Sequence, residues 1–222
     1  ELKSGQLLLM FLSLSLAVGI VASITFFTDR LDSSLMFESK QFLGGDLKFE
    51  SSTPLDESVF PAGDYSYTTI YEFGSVLGSD TNFQLASIKS VSSPYPLVGE
   101  IEILDSNRKQ IIKKNPPARG KVWLDARLAS LLEVAVGEIV NIGEKDFSVS
   151  GIILSESDRG AGSFAFAPKA IMNSVDLEEA NVIQPGSRVR YSYTFISSIE
   201  TIKILETFFQ SIKKPGDDIE TP

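Results

Sequence analysis

"GQLLLMFLSLSLAVGIVASITFFT", residues 5–28, runs for 24 residues without one charged side chain. Wound as an α-helix it extends about 36 Å at about 1.5 Å per residue, enough for a hydrocarbon core about 30 Å thick. A cleaved signal peptide has a shorter apolar core, a basic start and a small-residue cleavage site behind that core. Here Lys3 is the one basic residue ahead of the run, and Val21-Ala22-Ser23, the nearest cleavage-like triplet, lies inside it. A helix buried in a water-soluble domain would carry a polar face, and this run has none. Residues 5–28 are therefore predicted to be a retained transmembrane helix. Its flanks leave the orientation open, because Lys3 precedes it and Asp29-Arg30 follow.

Within the span Ser15, Gly19 and Ser23 recur at every fourth position. Such a stripe lets a neighbouring helix approach closely and makes these three candidates for helix packing in the membrane. The alternative is chance placement in a span rich in Leu, Ser, Ala and Gly. From Asp29 to Leu43 there is no Gly or Pro, Leu31, Leu35 and Phe42 fall at helical spacings, and Gly44-Gly45 supplies a stop. The helix is predicted to continue into water as a stalk.

The chain has 222 residues, 43% of them hydrophobic, and a formal charge of −9. That balance argues against nucleic acid, which selects basic patches, and against a domain lying flat on an anionic leaflet. Cysteine is absent, which suits the cytoplasm and a bacterial periplasm equally. Histidine is absent too, so Ser-His-Asp and Cys-His catalysis and ordinary zinc sites have no ligands or bases to use. No Gly-x-x-x-x-Gly-Lys-[Ser/Thr] loop occurs. Ser211 and Lys214 match a serine–lysine spacing but sit on a charged, Pro-terminated segment without a companion motif. Glu178-Glu179 and Asp217-Asp218 are sequence neighbours whose side chains diverge, so they are expected to be solvated surface. No catalytic residue, cofactor or metal site is predicted.

Past the stalk, Asp46 to Glu50 alternates as a half-buried strand does. "YSYTTIYEFGSVL" and "NFQLASIKSV", separated by Gly78-Ser79-Asp80, predict a hairpin. Ser92 to Leu97 breaks the pattern with two prolines and opens a second module. In it "VWLDARLASLLEV" predicts a strand entering a short helix capped by Asp125. "VGEIVNIGEKDFSVSGIIL" predicts two strands about a Gly143-Glu144 turn. A Gly-rich loop, "SDRGAGSFAFAP", carries Phe164 and Phe166, and Pro168 to Val175 is expected to form another short helix. "SRVRYSYTFI" is the last strand, followed by a helix from Ser198 to Lys213 with Ile199, Ile202, Leu205, Phe209 and Ile212 on its apolar face. Strand plus helix at both ends suggests one α+β layer, residues 29–91 with 184–214, into which a β-rich module, 92–183, is inserted.

"FFTDRLDSSL", "FLGGDLKF", "YPLVGE", "VWLDARL", "SDRGAG" and "QPGSRVRY", in this order, resemble the first transmembrane helix and first periplasmic domain of a MacB/FtsX-type ABC transporter permease, in its YbbP-like branch. The resemblance covers nearly the whole chain. It implies an α+β fold with a transmembrane helix and stalk, a porter-like subdomain and an inserted β-rich subdomain, that is, a MacB-like periplasmic core domain. It also implies a bacterial inner-membrane subunit, with residues after about 28 in the periplasm, that has further spans beyond this chain. The partners it implies are a cytoplasmic ABC-type ATPase and a second permease copy or pseudo-repeat, with a periplasmic esterase associated with this branch. The activity it implies is mechanotransmission, ATP hydrolysis below moving a domain above, acting on a hydrophobic, lipid-like cargo. The alternative from a different class is a membrane-anchored binding module without an ATPase, in which Phe164 and Phe166 contact a ligand or partner; aromatics tucked beneath their own loop are the plainer account of the same two residues.

Overall fold

The computed structural model describes residues 2–157 and 167–222. They divide into two compact units, one ending at Ser39 and the other beginning at Lys40. Helix α1 (Leu2–Leu43) is unbroken over 42 residues. Among the described residues it is the one helix long and apolar enough to cross a membrane. Its hydroxyls find partners within the helix: Ser23 Oγ donates to the Gly19 carbonyl at 2.8 Å, and Thr25 and Thr28 donate to Val21 and Ile24 at 3.0 Å. In hydrocarbon no other acceptor exists for them. The helix stops where expected: Gly44 takes a positive φ of 79°, and its N–H bonds the Lys40 carbonyl at 2.9 Å.

The second unit contains β1 (Leu47–Ser51), β2 (Tyr65–Gly78), β3 (Phe83–Val91), β4 (Ile101–Leu104), β5 (Gln110–Lys113) and β6 (Lys121–Asp125). Helix α2 (Ala126–Leu132), β7 (Ile139–Ile142), β8 (Lys145–Glu156), β9 (Lys169–Asn173) and α3 (Leu177–Ala180) follow, then β10 (Val189–Ser197), α4 (Ile199–Ile212) and β11 (Asp218–Glu220). The chain is α+β. Its described strands join in the order β11-β1-β10-β2-β3-β9-β6-β8-β4-β5, with β7 bridging β2 and β8.

That bridge closes a circuit: β2, β3, β9, β6, β8 and β7 pair in turn, and β7 returns to β2 through Leu77↔Ile142. A small barrel results, and each strand gives it a fully buried side chain: Leu77, Ile88, Met172, Leu124, Val149 and Ile142. Alternation sends the next residues outward. Trp123 and Ile171 therefore join a second core with Ile70, Val91, Tyr95, Ile101 and Ile103, under the β4–β5 hairpin. Strand β2, 14 residues long, belongs to two structures. Its first part pairs with β10 from Tyr65↔Ser197 to Phe73↔Val189, and its end lies in the barrel.

Beyond β2 the sheet is open and α4 covers it. Ser198 caps α4, its Oγ accepting from Thr201 N. Leu205 and Phe209 are fully buried; Phe209 stacks on Phe49 with centroids 4.6 Å apart and meets Phe60 and Phe195. Ile199, expected on this face, is 76% exposed, because it occupies the first turn, past the edge of the aromatic cluster. Asp125 caps α2 as expected, accepting from Leu128 N.

The helix expected at Pro168 to Val175 is instead strand β9 running into a 3-10 turn, Ser174–Asp176. Tertiary pairing overrides local preference here: β9 lies between β3, in parallel register, and β6. A helix would leave the facing edges of both neighbours unpaired. At the β7–β8 turn Gly143 has φ 63°, and a Cβ there would stand 2.1 Å from the Ala180 carbonyl oxygen. Only glycine lets α3 approach so closely.

Candidate functional site

Ser157 and Ala167 bound the residues 158–166 that lie outside the described structure, and with them most of "SDRGAG" and both Phe164 and Phe166. The strands on either side of this segment meet in a charged cluster. Glu156, the last residue of β8, receives Lys89 Nζ on Oε1 at 2.8 Å and Lys169 Nζ on Oε2 at 2.8 Å. The Tyr95 hydroxyl also donates to Oε1, at 3.0 Å, and Lys89 Nζ lies 5.0 Å from the Tyr95 ring centroid. Burial pushes the Glu156 carboxyl up, but the two ammonium groups outweigh it and hold it down at about 2. The carboxylate is thus fixed as an acceptor, and it ties β3, β8, β9 and the Ser92–Leu97 turn together.

A second cluster lies at the foot of the barrel. Asp176, fully buried, accepts from Lys145 Nζ and from Gly120 N at 2.9 Å. Lys145 also reaches Glu179 at 2.6 Å, and Arg119 bonds Glu179. Burial works to lower the Lys145 ammonium, but its bonds to Asp176 and Glu179 prevail and raise it. The Lys145 and Arg119 bonds hold the Glu179 carboxyl low. Glu179 is thus paired while its side chain stays on the surface, as the sequence suggested, 47% exposed. Asp217, expected there too, is instead 9% exposed and accepts from Lys214 N at 2.9 Å.

"QPGSRVRY" frames a groove of about 460 Å³ between the starts of β10 and β11 and the end of β1. Arg188 and Arg190 face Glu50, Glu72 and Asp218 across it, with Arg190 Nη1 3.5 Å from Glu50 Oε2. On α1, Ser15, Gly19 and Ser23 are exposed, and a Cβ at Gly19 would meet nothing within 4 Å. That stripe is distant in sequence from the clusters.

Sequence reasoning missed both charged clusters. Their members lie up to 67 residues apart, and periodicity cannot pair them. One signal was present: Lys89 interrupts an otherwise small and apolar strand end, "ASIKSV", in alternation with the buried Val91. Among the described residues no group of His, Cys, Asp and Glu is arranged to hold a metal ion. A carboxylate held low between two lysines stays ionised at neutral pH.

No family model matches the sequence. Over 198 residues, 88% of its length, the chain is 29% identical to the uncharacterized ABC transporter permease YbbP of Escherichia coli (strain K12), and it covers 24% of that protein's length. The fold is similar to that of the periplasmic region of MacB from Actinobacillus actinomycetemcomitans: TM-score 0.52, 12% identity, 84% of this chain and 93% of that one covered. The extracellular domain of YknZ, a noncanonic ABC-type transporter from Gram-positive bacteria, aligns at TM-score 0.47 and 10% identity, over 79% of this chain and all of that one. The resemblance read from the sequence motifs, to a MacB/FtsX-type permease, is borne out.

Proposed function

We propose that this chain, a relative of YbbP with a MacB-type periplasmic fold, is the first span and extracytoplasmic domain of an ABC transporter permease subunit. The observation that carries this reading is the 88% of the chain aligned to such a permease, with a 42-residue helix ahead of the sheet unit. It spans about a quarter of that relative's length, so the partners follow from the reading: a cytoplasmic ABC-type ATPase and a second permease copy or pseudo-repeat. The setting is a bacterial inner membrane, with residues after about 28 in the periplasm. In this reading the chain has no catalysis of its own and couples ATP hydrolysis to movement of a hydrophobic, lipid-like cargo by mechanotransmission. A continuous, Pro-free α1 supports that role, because such a helix is stiff along its axis.

The porter-like part is then residues 29–91 with 184–214, and the inserted part 92–183. Pairing of β1, β10 and β2 under α4 supports the porter-like part, while β3 and the end of β2 pair into the barrel with strands of the inserted part. Ser15, Gly19 and Ser23 serve as the contact with a neighbouring membrane helix. ATP turnover of the reconstituted complex, with and without this subunit, tests the reading. Turnover should depend on the subunit and change with Gly19→Leu, which overfills a close helix contact. Turnover indifferent to both would favour an anchored binding module.

A further inference from the structure

Six of the chain's 20 basic residues fall within residues 108–121, "RKQIIKKNPPARGK", which contain no acid. In a protein of charge −9 this is a local inversion. The run carries β5, the terminal strand of the sheet order, paired among the described residues on one side alone, with β4. A groove of about 800 Å³ opens beside it, with Ile112, Lys113, Lys114 and Lys121 in its lining together with Glu100 and Trp123. Carboxylates are near: Glu100 lies 3.4 Å from Lys114 Nζ, and Glu102 accepts from Gln110. Lys113 and Lys121 carry the cationic excess. Lys114 is 73% exposed and Ile112 48%.

We propose that β5 is a docking edge for an acidic, extended segment of a partner protein, added as a further antiparallel strand. A strand with one neighbour turns alternate N–H and C=O groups outward, and added main-chain bonds supply affinity while side chains supply choice. Lysines on such an edge repel a second β5, so two copies do not pair through it symmetrically. The same lysines attract carboxylates. The opposite edge of the sheet, β11, is acidic but only three residues long. A β5–β11 contact between copies would be head-to-tail, a ring or an open filament, and β11 offers only three residues to pair, so the basic edge is matched better by an acidic segment of a different protein. This goes beyond the transport reading and stands without it.

The chain's single tryptophan, Trp123, lines the groove and reports its occupancy. The full chain in phosphatidylcholine nanodiscs is titrated with the blocked peptide Thr-Glu-Val-Glu-Val-Glu-Thr, following tryptophan emission. Saturable binding is expected, weakened at least tenfold by Lys113→Glu with Lys114→Glu, by methylating alternate peptide nitrogens, and by replacing Glu with Lys. Far-ultraviolet circular dichroism verifies the fold of the double variant, and Lys121→Gln gives a milder second test with a smaller loss. No binding, or binding unaffected by N-methylation, overturns the proposal. So does emission that responds to phosphatidylglycerol vesicles and not to the peptide, which would make the run a lipid contact. Concentration-dependent self-association abolished by the double variant would give the edge to a second copy instead.

Discussion

Lys89 and Glu156, 67 residues apart in sequence, meet 2.8 Å apart with side chains only 2% and 4% exposed. Replacing Glu156 by Gln keeps the shape but leaves Lys89 and Lys169 facing a neutral amide. Removing one partner of a buried pair costs about 3–5 kcal/mol. Urea unfolding of Glu156→Gln should show a loss of that size, and an unchanged midpoint would mean the pair is not formed.

The same carboxylate sets an acid limit. Its folded value of about 2 lies below the ordinary 4.5, so the native state binds this proton less readily than the unfolded chain. The resulting stability is fully present above pH 4.5 and is lost as pH falls from there toward 2. At about 1.4 kcal/mol per unit the loss is roughly 3 kcal/mol. Glu156→Gln should flatten the denaturation profile over this window.

Asp176→Ala removes the acceptor of both Lys145 Nζ and Gly120 N. A buried N–H left without a partner costs about 1–3 kcal/mol, and more with a charge involved. Thermal unfolding should fall well below that of Glu178→Ala, whose side chain is on the surface; equal midpoints would discount the cluster.

Phe209→Ala empties the stack on Phe49 and should cost about 3–5 kcal/mol. Ile204, on the same helix but 57% exposed, should tolerate Ala within about 0.5 kcal/mol. Similar losses at the two positions would mean that α4 packs in another orientation.

Gly137 and Gly143 both have positive φ, yet a Cβ at Gly137 meets nothing within 4 Å while one at Gly143 collides with Ala180 O. Ala at 137 should cost about 1–2 kcal/mol of backbone strain, and Ala at 143 clearly more. Equal costs would deny the close approach of α3.

What the sequence disclosed was whatever depends on near neighbours. The charge-free run gives α1, Gly44-Gly45 its end, alternation the β2–β3 hairpin, Asp125 and Ser198 their caps, and Leu205 with Phe209 the buried stripe of α4. Lys169 to Asn173 misled because its partners, β3 and β6, are remote in sequence, and nothing local distinguishes "KAIMN" as a barrel strand from a short helix. Strands β4 and β5 went unread because Lys113 and the flanking Lys109 and Lys114 mask the two isoleucines of β5. For the candidate site the limit was the same. Glu156 and Lys169 flank a conspicuous loop, but only the fold brings Lys89 and Tyr95 to them. The placement of Phe164 and Phe166 falls outside the described residues.

Strand β2 gives one end to the open sheet and the other to the barrel, and β3 runs beside it through most of that length. A hinge needs a stretch of chain whose bonds can be turned without tearing a ladder, and between these two parts the backbone offers none. Melting should therefore not proceed part by part. Amide deuteration at Tyr67, Tyr71 and Leu77 should advance at one common rate, the signature of a single cooperative unit.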